Sequence, residues 1–165
     1  MVNLLDDIQR ALHAKAYYLA LLGTLSLPGV CAAMEYPDGV AKSDRYELSF
    51  NTRLGQKYRD QLTGKQCYQF RSSMLQEEPM LRQRVSSERV VFVIPGSGSS
   101  VGPTMRANRV IYLDLHTFCC DMTDAVQGWL KAVKWTEPFE THMAGIVRVH
   151  PRGIPGAIEL LPMLA

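Results

Sequence analysis

The chain has no CxxC pair, although it holds four cysteines, Cys31, Cys67, Cys119 and Cys120. Adjacent Cys119 and Cys120 are poorly placed as two ligands of one tetrahedral metal. Four scattered cysteines in 165 residues fit buried free thiols in a reducing compartment and argue against a disulfide scaffold. The histidines, His13, His116, His142 and His150, form neither HxxxH nor HxH. Asp114 and His116 could share a strand face, but no third ligand follows, so no metal is expected. Charge of one sign is also scarce. The net charge is +2, which gives no general pull toward nucleic acid. No internal repeat is present.

Nucleotide and hydrolase signatures fail as well. Residues 95–103, PGSGSSVGP, miss GxGxxG because the third glycine comes one place late. No Lys-Ser or Lys-Thr pair follows, so this is no Walker loop. The same stretch fits GxSxG around Ser100, and Ser100, Asp114 and His142 stand in the hydrolase order. The strand-turn-helix that such an elbow needs is missing. A loop between two strands is the simpler reading, and no cofactor is expected.

What the chain does have is 47% hydrophobic residues, enough for one sizeable core. Residues 16–34 carry no charged side chain. The run is as long as a membrane span but is interrupted by Gly23, Pro28 and Gly29, and Asp6 and Asp7 precede it. It reads as a helix over 3–25, a turn, and a short second helix over 28–35. A cytoplasmic protein without a membrane segment is therefore expected. Ser43 can cap a helix to about Leu62, with Tyr46, Phe50, Leu54 and Tyr58 spaced by four. Another helix fits 65–76, and residues 77–88 read as a charged loop. The period then changes. RVVFVI at 89–94 and RVIYLDL at 109–115 read as strands of one hairpin, 89–115, with a long loop. Phe118, Met122, Ala125, Val126, Trp129, Leu130 and Val133 form the clearest apolar stripe, on a helix capped by Thr117. Ile146 to Val149 reads as a short strand. The expected architecture is mainly α, a helical bundle with an inserted β-hairpin (α+β). It comprises a single domain over 1–135 and a C-terminal extension over 136–165.

The positive charge is concentrated. Residues 42–89 carry ten basic and six acidic side chains, while 90–165 carry six of each. Arg53, Lys57 and Arg71 in this band are the candidate ligand or partner contacts. A solvated helix face explains the same pattern.

One stretch is more distinctive. Leu25-Ser26-Leu27-Pro28 with Cys31 and Glu35 precedes Cys67-Tyr68-Gln69-Phe70-Arg71 and Ser72 to Gln76. Arg89 to Pro95 and Trp129-Leu130 follow. Over residues 5–133 this order resembles a family of uncharacterised bacterial proteins, some of them from mobile gene cassettes. That family's helix carries an Arg-x4-His element similar to the signature of HEPN domains, helical bundles that are often dimeric and often metal-independent ribonucleases. The resemblance implies that Arg71 would hold a scissile phosphate beside a histidine acting as acid or base. Here Gln76 stands in the histidine's place, and Gln cannot exchange a proton near neutral pH. The expectation is a non-catalytic binding or interaction protein, homodimeric, with RNA or protein as partner. The alternative is a HEPN-type ribonuclease that uses Arg71. A third class is small-molecule binding in a cleft beneath the 95–108 loop.

Overall fold

A computed structural model describes residues 2–59, 61–76, 89–94, 96, 104–143, 149–150 and 163–164. The chain is mainly helical with a small sheet, as the sequence patterns predict. The helices are α1 (Val2–His13), α2 (Tyr17–Glu35), α3 (Ser43–Leu54), α4 (Gly64–Gln76), α5 (Leu115–Val133) and α6 (Glu137–Met143). The strands are β1 (Arg89–Val93), β2 (Thr104–Ala107), β3 (Val110–Asp114), β4 (Val149–His150) and β5 (Met163–Leu164). The charged stretch 77–88 and the segment 97–103 with Ser100 lie outside the described residues, as do residues 146–148 of the expected short strand.

The first helix ends earlier than its apolar spacing suggests. Lys15 adopts a φ of 58°, the Lys15 N–H donates to the Leu12 carbonyl, and the Ala16 N–H donates to that of Ala11. This is a Schellman stop with a lysine at the left-handed position, where glycine is the usual sign. The second helix then runs unbroken through Pro28 to Glu35. Pro28 removes the N–H that would meet the Thr24 carbonyl. One residue further on, the Tyr46 hydroxyl donates to the Leu25 carbonyl at 2.6 Å. Burial on several sides outweighs the proline's cost. α2 packs against each of the other five helices.

Tyr46, Phe50, Leu54 and Tyr58 are all buried, at 3% exposure or less. The helix itself ends at Leu54, and Tyr58 follows in turns. Thr63 and Gln66 start α4 with a capping box. The Gln66 amide oxygen accepts the Thr63 N–H at 2.9 Å, and the Thr63 hydroxyl accepts the Gln66 N–H at 3.2 Å. Gly64 permits close approach there, since a Cβ would sit 2.6 Å from the Glu47 carbonyl oxygen.

The sheet order is β1-β3-β2, and this corrects the expected hairpin over 89–115. β1 and β3 pair in parallel, from Arg89 opposite Val110 to Val93 opposite Asp114. The hairpin is β2–β3, closed by Asn108 and Arg109 with φ of 49° and 61°. Two left-handed residues at a two-residue turn match the twist of a hairpin. Arginine bears a steric cost there that glycine does not. Arg109→Gly is therefore expected to raise stability by about 1 kcal/mol. Urea unfolding measures it, and an unchanged or lowered midpoint would contradict the account.

Val90, Phe92, Ile111 and Leu113 occupy equivalent register positions and turn one sheet face to the helices. Phe92 meets Phe70 at 5.0 Å and Phe118 at 5.1 Å between ring centroids. Asp114, rather than Thr117, caps α5, accepting the Thr117 N–H at 2.7 Å. The start of the C-terminal extension packs on the same body. Phe139 of α6 is buried against Trp129, and His142 Nε2 donates to the Tyr36 carbonyl at 3.0 Å.

Candidate functional site

Arg53 lies in the last turn of α3 and is occupied within the chain. Its guanidinium donates to the Ser49 carbonyl at 2.9 Å, the Ser49 hydroxyl at 2.8 Å and Glu35 Oε1 at 2.7 Å. The same carboxylate oxygen accepts the Trp129 indole N–H at 2.6 Å. The guanidinium carbon lies 4.9 Å from the Trp129 ring centroid. The Arg53 Nε is buried without a partner among the described residues. The cluster ties the ends of α2, α3 and α5 together. Cys31 lies beneath it. Burial pushes its thiol from an ordinary 9.0 up to about 12, with Arg53 opposing and Glu35 adding to the rise.

Lys57 is similarly engaged. Its ammonium meets Asp121 Oδ1 at 2.5 Å, while the Tyr58 hydroxyl donates to Asp121 Oδ2 at 2.7 Å. Burial, and then the bond to Asp121, holds the Tyr58 phenol above its usual range. Arg53 and Lys57 thus lie in two separate clusters, each facing a carboxylate. The pair made by the exposed Lys57 ammonium adds little stability, whereas the Arg53 guanidinium is buried, and in both clusters the carboxylate offsets the positive charge.

Arg71, in the middle of α4, differs from both. It is half-buried, and its Nε is shielded without a hydrogen-bond partner among the described residues. Among the described residues no carboxylate stands within ion-pair distance of it. Tyr46 is close enough that the Arg71 charge counteracts part of the rise that burial imposes on its phenol. Gln76 is the last residue of the helix. His13 bonds to the Gln9 carbonyl, His116 faces Cys120 at 3.7 Å, and His142 is held by Tyr36. None of these three is bonded to Arg71. Among the described residues no three His, Cys, Asp or Glu side chains converge as a metal site.

A concave feature lies elsewhere. A cleft of about 550 Å³ runs between the start of α2, the end of α4 and strand β1. Tyr17, Tyr18 and Leu21 form one wall, and Phe70, Ser73 and Met74 extend it. Val90, Val91, Phe92 and Ile94 form the other. None of the described lining residues is charged. The Tyr18 hydroxyl donates to the Met74 carbonyl at 2.8 Å, and Ser73 donates to the Gln69 carbonyl at 3.0 Å. Two of the polar groups at the cleft are therefore already satisfied inside the protein. Tyr18 and Ile94 stay 58% and 48% exposed at the rim of the cleft.

Sequence reasoning did not single out these lining residues. Each satisfies the helix or strand period as a core residue would. The available signal was a local excess: Tyr17-Tyr18 at the head of an uncharged run, and a fully apolar strand ending in Ile94. Compared with protein-family models, with curated proteins and with solved structures, the chain finds no match.

Proposed function

We propose that this chain is a non-catalytic binding protein, on a HEPN-like helical scaffold, whose working site is the apolar cleft between α2, α4 and β1. The cleft itself carries the reading. It is large enough for a ligand and apolar, and it is held between rigid elements. RNA fits less well, because Arg53 and Lys57 already face carboxylates. Catalysis on the HEPN pattern would need a proton-transfer partner for Arg71, and Gln76 cannot act as one. The four free thiols suit a reducing compartment such as the cytoplasm.

A neutral solvatochromic dye, Nile red, tests the site. Its emission should rise and shift to the blue on binding, with a Kd on the order of 10 µM, about 7 kcal/mol. Ser73→Trp fills the cleft from a half-buried position and should abolish the signal while far-UV circular dichroism stays unchanged. Ile94→Asp, at the rim, should weaken it about tenfold. A dye that ignores the wild-type chain, or binds both variants equally well, would remove the cleft from consideration.

A further inference from the structure

We infer that the guest of this cleft is a single extended peptide segment that joins the sheet as an added strand along β1. The inference rests on the cleft being the binding site. β1 is an edge of its sheet, with β3 on one side and no described strand on the other. In the parallel ladder the Arg89 N–H donates to the Arg109 carbonyl at 3.0 Å, and Arg89 is opposite Val110. The polar groups of successive strand residues point to opposite edges. Arg89, Val91 and Val93 therefore turn their N–H and C=O toward β3. Val90 and Phe92 present theirs to the opposite edge, where neither meets a partner among the described residues.

The cleft runs along that edge. Val90, Val91 and Phe92 are consecutive and belong to both faces of the strand, yet all line it. A cavity over one face would be lined by every second residue only. Natural edge strands are usually guarded by charge, proline or a bulge. Here the strand reads Arg-Val-Val-Phe-Val, its only charge is at the first residue, and its register with β3 is continuous.

The α2–α4 wall with Tyr18 and Met74 stands across from the edge. A second folded copy would bring its own sheet and helices against that wall. A lone segment needs only the spacing of about 4.8 Å between strands. The five residues of β1 span about 16 Å, so about five guest residues pair. Charge complementarity sets the direction. The described lining is uncharged, while exposed Arg89 stands at the start of the strand with no ion pair among the described residues. An antiparallel guest ends there and places its terminal carboxylate by the guanidinium. The guest is thus an apolar carboxy-terminal segment with alternating side chains.

The test uses the full chain and a fluorescein-labelled hexapeptide of alternating threonine and valine with a free carboxy terminus. It should displace Nile red and raise polarisation. Methylating its amide nitrogens one at a time should give an alternating pattern. Every second position should weaken binding at least tenfold, and those between less than twofold. Amidating the carboxy terminus should weaken it about threefold, and Arg89→Gln should erase that difference. A flat methylation pattern, or a peptide that fails where Nile red binds, overturns strand addition and leaves the cleft standing as a site. A chain that is dimeric by light scattering at micromolar concentration, with a cleft closed to the peptide, puts a second copy on the edge and also overturns it. Loss of dye binding itself overturns the cleft reading.

Discussion

Between pH 9 and pH 11 the protein should lose its folded state in one cooperative transition. Cys31, Cys67 and Cys119 are all buried, at 1% exposure or less. Burial pushes the Cys31 thiol from an ordinary 9.0 to about 12 and the Cys119 thiol to about 11. It holds Cys67 well above its usual range, and it raises the Tyr46 phenol too. In the unfolded chain these groups ionise near their ordinary values, while in the folded chain they keep their protons. Above pH 9 the unfolded state therefore binds fewer protons than the folded one, and stability falls as pH rises. Each group that has titrated only in the unfolded state removes about 1.4 kcal/mol per pH unit. Three thiols and one phenol together remove roughly 8–10 kcal/mol by pH 11, comparable with the whole stability of a typical domain. Below pH 8 they remove almost nothing. Urea midpoints followed by far-UV circular dichroism should be flat from pH 6 to 8 and collapse above pH 9.5. Equal midpoints at pH 7.5 and 10.5 would show that these protons are not held by the fold.

Glu35→Ala should be the most damaging change outside the hydrophobic core, at about 3 kcal/mol. Glu35 sits in the last turn of α2, where a negative charge opposes the helix dipole, so helix formation does not explain it. Its single oxygen Oε1 accepts from both Arg53 and Trp129. The Arg53 side chain is only 7% exposed and its Nε already lacks a partner among the described residues. Removing the carboxylate leaves that guanidinium buried without its counter-charge and leaves the indole N–H without its acceptor. The reverse change is milder. The Glu35 side chain is 37% exposed, so Arg53→Met leaves it to water and still bonded to Trp129. That should cost about 1 kcal/mol. Guanidinium-chloride unfolding of the two variants measures the asymmetry. Equal losses would mean that the pair, not the buried charge, sets the energy.

The helices with one apolar face were legible. The four-residue spacing from Tyr46 to Tyr58 and the stripe from Phe118 to Val126 both became core. Three features were not legible, each for a physical reason. A lysine took the left-handed cap at Lys15, so the residue that normally announces a helix end was missing. Pro28 stayed inside a helix because tertiary burial outweighed a local cost. The two apolar strands paired in parallel because Asn108-Arg109 closed a tight hairpin within what reads as a loop, and β2 is too polar to stand out. The candidate site divides in the same way. Arg53, Lys57 and Arg71 are visible as charges, but Glu35 and Asp121, which face the first two, are distant in sequence and cannot be assigned without the fold. The cleft is invisible because a wall residue and a core residue obey one period.

The place of α2 at the hub of the helices has a consequence for the nascent chain. The helix has a mean hydropathy of 1.5 over eighteen residues, enough by length and composition to cross a membrane, and more than half of it is buried in the finished fold. One of its main partners, α5, is encoded about 80 residues downstream. At ribosomal rates of 5–20 residues per second, α2 waits about 4–16 s for that partner to emerge. During that interval its apolar surface is open to chaperones, to targeting factors that survey hydrophobic segments, and to neighbouring polysomes. Yield in cells should then depend on translation speed and on holdase supply as well as on the stability of the folded protein.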